Sequence, residues 1–167
     1  MLSIMLRGSF VELPPLTEEI RTPREYPSRP LVGVGAVIVH DGRVALVRRG
    51  NPPAKGQWSI PGGLVRVGET IKEAVVREAS EETSLEVEPL DLVDLVERIF
   101  PDKDGRIQYH YVLADYVCSV KAGVLTAASD VSEAAWATLD EMPGLKVPRV
   151  TIEVIKKALQ RLERGFS

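Results

Sequence analysis

Residues 31–39 read Leu-Val-Gly-Val-Gly-Ala-Val-Ile-Val without one polar side chain, and after His40-Asp41-Gly42-Arg43 the chain is apolar again from Val44 to Val47. An Asp-Gly pair between two β-rich runs predicts a tight hairpin. A sheet with one wet face alternates apolar with polar residues; these strands do not, so their sheet must be covered on both faces. That cover has to come from helices, and two segments can supply it. Thr70 and Glu73 form a Thr-x-x-Glu capping box that starts a helix near Ile71 and carries it to about Thr83. Pro148 opens a second, with Ile155, Ala158, Leu159 and Leu162 at helical spacing and Lys and Arg on the other side. Between them, Leu90–Phe100 and Arg106–Val120 read as strands around the turn Pro101-Asp102-Lys103-Asp104-Gly105, with a short strand near Trp136. The expected class is α/β: a mixed β-sheet sandwiched between α-helices.

Five of the 12 prolines fall between Pro14 and Pro30. Proline removes backbone donors, so residues 1–30 are expected to be an extended arm, with a short strand near Phe10, and residues 31–167 the folded domain. The arm is expected to be disordered or to pair across a homodimer. The 167 residues carry 21 Lys and Arg against 24 Asp and Glu, a net charge of −3, which argues against a basic groove for nucleic acid. No apolar run approaches the ~20 residues of a membrane helix, and the opening residues lack the order of a signal peptide. A lone cysteine, Cys118, excludes an intrachain disulfide and reads as a buried strand residue. The expectation is a cytoplasmic protein that engages neither membrane nor nucleic acid.

The segment from Thr70 to Thr83 breaks two stability rules. Its apolar stripe begins Ile71, Ala74, Val75 and, extended at the same spacing, takes in Glu78, Ala79 and Glu82. Glu81 lies one turn after Glu78, so three carboxylates converge within ~6 Å of helix rise. Like charges repel at this spacing, and Glu81 and Glu82 sit in the last turn, where the helix dipole disfavours anions by ~0.3–1 kcal/mol. A purely structural account is a solvated acidic face with Arg77 pairing to Glu73 or Glu81. A hard divalent cation resolves the repulsion better, since Mg²⁺ takes carboxylate oxygens and bridges to substrate phosphates.

Gly63, five residues, Glu69, seven residues and then Arg77-Glu78-Ala79-Ser80-Glu81-Glu82-Thr83-Ser84-Leu85 resembles the Nudix box, G-x5-E-x7-R-E-U-x-E-E-x-G-U with U aliphatic. The lead-in Lys55-Gly56-Gln57-Trp58-Ser59-Ile60-Pro61-Gly62-Gly63 and the stretch Glu133-Ala134-Ala135-Trp136 with Leu139-Asp140-Glu141 are also similar to Nudix hydrolases, so the resemblance spans roughly Leu31 to Leu162. Three positions depart from it: Ser84 replaces the box glycine, Ala79 a larger aliphatic, and Arg66 an acid that many relatives carry.

The resemblance implies a Nudix fold and the hydrolysis of a nucleoside diphosphate linked to another group. It implies that Glu78, Glu81 and Glu82, with a carbonyl near Gly62 or Gly63, bind one to three Mg²⁺ or Mn²⁺. Arg77 would orient a carboxylate, with Glu69 as its ionic partner. Glu81 is the first choice of general base; Asp130 and Glu133, ahead of Trp136, are the alternatives. The 31–49 hairpin, the Asn51-Pro52-Pro53 insert and the strand 106–120 are most similar to ADP-ribose pyrophosphatase-type members, implying a small-molecule nucleotide, ADP-ribose first, with a nucleoside triphosphate or a non-catalytic sensor as alternatives. Arg48, Arg49 and Lys55 are candidates for phosphate. Phe100, Tyr109 and Tyr111 are candidates for a nucleobase, the two tyrosines sharing one strand face; the plainer alternative makes them core pairs.

Overall fold

The computed structural model describes residues 3–6, 9–12 and 24–165. Among the described residues nine strands and two helices follow in the order β1 (Ser3–Leu6), β2 (Ser9–Glu12), β3 (Leu31–His40), β4 (Arg43–Arg49), β5 (Trp58–Ser59), β6 (Gly62–Leu64), α1 (Ile71–Thr83), β7 (Leu85–Pro101), β8 (Ile107–Gly123), β9 (Val131–Ala137) and α2 (Arg149–Arg164). Strands β1 and β2 form an antiparallel pair of their own, β2 running over Phe10. Residues 13–23, the proline-rich part of the expected arm, lie outside the described residues.

The remaining seven strands form one mixed sheet in the order β5-β4-β3-β8-β7, with β6 paired to β3 and β9 to β4. The 40–43 turn forms as expected, with Asp41 and Gly42 both at positive φ. The hairpin is shorter than the sequence suggests: β3 and β4 pair only at Val39–Val44 and His40–Arg43. Beyond that they separate, because β6 takes the edge of β3 at Gly33–Gly35 while β5 and β9 take the two edges of β4. On its other side β3 runs parallel to β8 from Leu31 to Val39.

Both faces are covered, and the pleat sorts the side chains. Val34, Ala36 and Ile38 of β3 pack with Ala45, Cys118 and the α1 residues Ala74, Val75 and Ala79. Val37, Val44, Leu46 and Val117 point the other way, against Val154, Ile155 and Ala158 of α2. Successive residues of one strand thus feed two cores, which is why the run shows no polar alternation. Cys118 is enclosed in the α1 side, where burial pushes its thiol up to about 12.

Helix α1 starts on the expected capping box. The Glu73 N–H donates to Thr70 Oγ1 and the Thr70 N–H to Glu73 Oε2. It ends on Ser84 in the left-handed region, φ 58°, whose N–H donates to the Ser80 carbonyl. A side chain there is strained where glycine is not. Ser84→Gly is expected to raise unfolding free energy by about 1 kcal/mol, read as a higher urea midpoint at unchanged slope. Strand β7 begins at Leu85, five residues before the expected Leu90, and absorbs Pro89 in a register shift against β8 between Pro89 and Asp91.

Candidate active site

The loop from β5 to β6 brings backbone to the carboxylates of α1. Pro61 accepts the Ala36 N–H, which fixes the loop on β3, and the Gly62 N–H donates to Glu82 Oε2 at 2.9 Å. Space explains the glycine pair: a Cβ at Gly62 would strike the Val34 carbonyl, and one at Gly63 would enter the Glu78 carboxyl group. Gly63 and Glu78 are therefore in immediate contact, and Glu82 lies at the next turn beside Gly62.

Arg77 ties the cluster together. Its Nε and Nη2 donate to the two oxygens of Glu69 at 2.6 and 2.9 Å, Nη2 also reaches the Leu64 carbonyl at 3.0 Å, and Nη1 reaches Glu78 Oε1 at 2.6 Å and Glu81 Oε2 at 3.3 Å. The guanidinium beside Glu69 holds that carboxyl down at about 2, and the same bonds raise Arg77 further above its ordinary value. Glu81 has a second cation: Arg66 Nη2 lies 3.1 Å from its Oε1. Glu82 has none. It is 7% exposed, and burial pushes it up to about 7 even though it accepts the Gly62 N–H.

The loop after β8 is stitched to the end of α1, with the Thr126 N–H on the Thr83 carbonyl and the Ala128 N–H on the Glu82 carbonyl. This delivers Asp130, whose charge adds to the rise at Glu82 and whose Oδ2 accepts from Asn51 Nδ2 at 2.6 Å. Glu133 is placed differently: it pairs with Arg48 at 2.6 Å across β4 and β9. Arg48 is thereby engaged, its Nε also donating to the Gly56 carbonyl, and Lys55 is exposed in the same loop. Arg49 stands between two regions. Its charge acts on both Glu82 and Tyr111, and its buried Nε has no hydrogen-bond partner among the described residues.

Tyr111 belongs to an aromatic ladder on the α2 side of the sheet. It stacks on Tyr109 at 6.2 Å between ring centroids, and Phe100 meets Tyr109 edge-on at 6.3 Å. Tyr109 is buried and its hydroxyl donates to Glu25, which pushes it up to about 12; Tyr111 remains half-open. Trp58 packs against the α2-side core.

Five carboxylates, Glu69, Glu78, Glu81, Glu82 and Asp130, thus meet three guanidinium groups, Arg49, Arg66 and Arg77. The donor set is all oxygen and keeps a surplus negative charge, which suits a hard divalent cation. In the arrangement described, however, the side chains are turned to arginine and backbone partners. Among the described residues no three acidic, histidine or cysteine side chains are gathered as ligands. The sequence gives no direct sign of Asn51 as the holder of Asp130. It does carry a sign of Asp115, 5% exposed on β8: the alternation Tyr111, Leu113, Asp115, Val117 sets a carboxyl in a buried register.

The NUDIX domain model matches residues 29–158, which takes in the whole of this site. The chain belongs to the Nudix family. An ADP-ribose pyrophosphatase of Methanocaldococcus jannaschii is 38% identical over 116 residues, 70% of this chain, and the match takes in 66% of that protein's own length. A MutT Nudix hydrolase of Burkholderia pseudomallei superposes with a TM-score of 0.67 at 30% identity, over 77% of this chain and 98% of that one. The Nudix domain of Shewanella oneidensis NrtR, solved with ADP ribose, superposes with a TM-score of 0.64 at 25% identity, over 80% and 89% of the two chains. This Nudix chain keeps every box carboxylate and departs from the box at Ser84 and Ala79.

Proposed function

We propose that this Nudix protein hydrolyses the pyrophosphate bond of nucleoside diphosphate derivatives in a Mg²⁺- or Mn²⁺-dependent reaction, with ADP-ribose as leading substrate and AMP and ribose 5-phosphate as products. The observation that carries it is Glu82, a buried carboxylate that forms no ion pair among the described residues, beside Glu78 and Glu81. The pyrophosphatase name of the Methanocaldococcus relative and the ADP ribose in the NrtR domain support the substrate class. Glu78, Glu81 and Glu82, with the backbone at Gly62–Gly63, would hold the metal, which neutralises phosphate oxygens and lowers the pKa of water.

The chain's own groups account for the rest. Arg77 and Glu69 fix the register of the carboxylates. Glu81 accepts the proton of the attacking water on its carboxylate; the new P–O bond forms as the bridging P–O bond breaks, and the second phosphate leaves. Asp130 is the stronger alternative base, since its charge acts on Glu82 while Glu133 is held by Arg48. The orphan Arg49 Nε suits a phosphate or ribose oxygen between the carboxylates and Tyr111, and the open face of Tyr111 suits a base.

Product formation across ADP-ribose, nucleotide sugars, dinucleotides and nucleoside triphosphates, with Mg²⁺ and with chelator, tests this. Two monophosphates from ADP-ribose are expected. Inorganic pyrophosphate from a triphosphate would transfer the assignment to a triphosphatase, and ligand-induced thermal shifts without turnover to a sensor. Tyr111→Ala is expected to raise KM about 10-fold with kcat nearly unchanged, because stacking worth ~1–3 kcal/mol is made equally in ground and transition states.

A further inference from the structure

The Nudix box explains what Arg77 does, but Arg66 stands at one of the five positions between Gly63 and Glu69 that the box leaves open. Its backbone is fixed by an N–H donated to Glu69 Oε2 at 2.9 Å, and from there Nη2 reaches both oxygens of Glu81, at 3.1 and 3.4 Å. The two arginines on Glu81 differ in freedom. Arg77 is 16% exposed and bound to Glu69, Glu78 and the Leu64 carbonyl as well, so its hold on Glu81 is one bond among several. Arg66 is 63% exposed, and among the described residues Glu81 is the one side chain it pairs with.

We propose that Arg66 is a positioning residue that competes with the divalent cation for Glu81, so that the site loads only when the cation displaces this arginine from the carboxylate. The inference rests on the metal-dependent function proposed above and adds a threshold to it. With Arg66 across both oxygens and Arg77 on Oε2, Glu81 has its charge matched and guanidinium donors on each oxygen. A cation gains Glu81 only by breaking the Arg66 contact. Such an exposed pair is weak, so the arrangement is readily reversible. Arg66 also places a positive charge beside the site whether or not it touches Glu81. Both effects lower cation affinity, and neither requires Arg66 to contact substrate.

The test is direct binding of Mn²⁺ to the full chain without substrate, counting the free ion by electron paramagnetic resonance, for wild type, Arg66→Ala, Arg66→Lys and Glu82→Gln. Arg66→Ala is expected to bind Mn²⁺ about 5- to 10-fold more tightly, as removal of one unit charge near a divalent ion does in a near-aqueous dielectric. Arg66→Lys, which keeps the charge and loses the two-oxygen grip, is expected to fall between the two. Equal or weaker binding by Arg66→Ala, with wild type still binding more tightly than Glu82→Gln, overturns the role of Arg66 alone. Binding by wild type no tighter than by Glu82→Gln overturns the metal site, and the competition with it.

Discussion

Glu82→Gln is expected to lose at least ~100-fold in turnover while keeping its fold and, in metal-free buffer above pH 7, gaining stability. Both halves follow from one environment. The side chain is enclosed, its oxygen accepts the Gly62 N–H, and the charges nearest it include Asp130 and Glu78 as well as Arg49. A glutamine amide oxygen accepts the same bond, so the tie between α1 and the glycine loop survives. What disappears is a negative charge that burial disfavours and that, without a cation, contributes nothing to the fold. A residue whose removal stabilises the chain and abolishes its chemistry is held for function. The comparison needs initial rates on the best substrate and urea unfolding on the same preparations. Turnover within a few-fold of wild type would remove Glu82 from the metal site.

Much of this site is legible in the sequence because it is local. The capping box sets where α1 begins, the 3.6-residue period then dictates which side chains share a face, and Glu78 and Glu82 fall on that face whatever else the chain does. The two-sided burial of residues 34–38 and 44–47 is local in the same way, since the absence of alternation can be read without knowing the partners. The separation of β3 from β4 after two pairs could not be read so. Nothing within residues 31–49 says that β6 will claim the edge of β3; that choice rests on Gly62 and Gly63 fitting where a Cβ would collide. The early start of β7 fails for another reason: Leu85-Glu86-Val87-Glu88 alternates as a strand should, but Pro89 counts as a stop until a bulge accommodates it.

Side-chain partners lie further still from the sequence. Spacing predicts that Arg77 can reach Glu73 or Glu81, and the family resemblance names Glu69; Arg77 takes Glu69 and Glu81 and adds Glu78, while Glu73 turns back onto Thr70. Asp130 and Glu133 are equivalent as candidates in sequence, three residues apart ahead of Trp136. The fold separates them, because β9 pairing sets Glu133 opposite Arg48 whereas Asn51 holds Asp130 near Glu82.

Asp115 shows the same logic on the other face of the sheet, and it carries the second large effect. It sits on β8 opposite Gly35, where a Cβ would strike its Oδ1, with Ile60 close by and the charges of Arg98 and Asp94 in reach. No hydrogen bond to its carboxyl group is formed among the described residues, and burial pushes it up from 3.8 to about 7. A carboxyl whose folded value is raised gives stability that is complete below its unfolded value and is lost as pH rises through the folded one. Asp115 should therefore cost the fold on the order of 4 kcal/mol between pH ~4 and pH ~8. Glu82 adds a loss of the same sign in the same window. Asn has the shape of the neutral acid and cannot ionise, so Asp115→Asn is expected to match wild type near pH 4 and to exceed it by about 2–4 kcal/mol at pH 8. Metal-free urea unfolding at pH 4, 6 and 8 measures this. Because the other titrating groups, Glu69 among them, are common to both proteins, the difference between the two curves isolates Asp115. A difference that stays constant with pH would mean that the carboxyl titrates near its ordinary value and that solvent reaches it. A difference that widens by a comparable amount in Asp115→Asn and in Glu82→Gln would show two separate buried acids, one on each face of the sheet. The carboxylates near Glu82 are Glu78 and Asp130, whereas the one facing Asp115 across the strand pair is Asp94, which Lys157 holds.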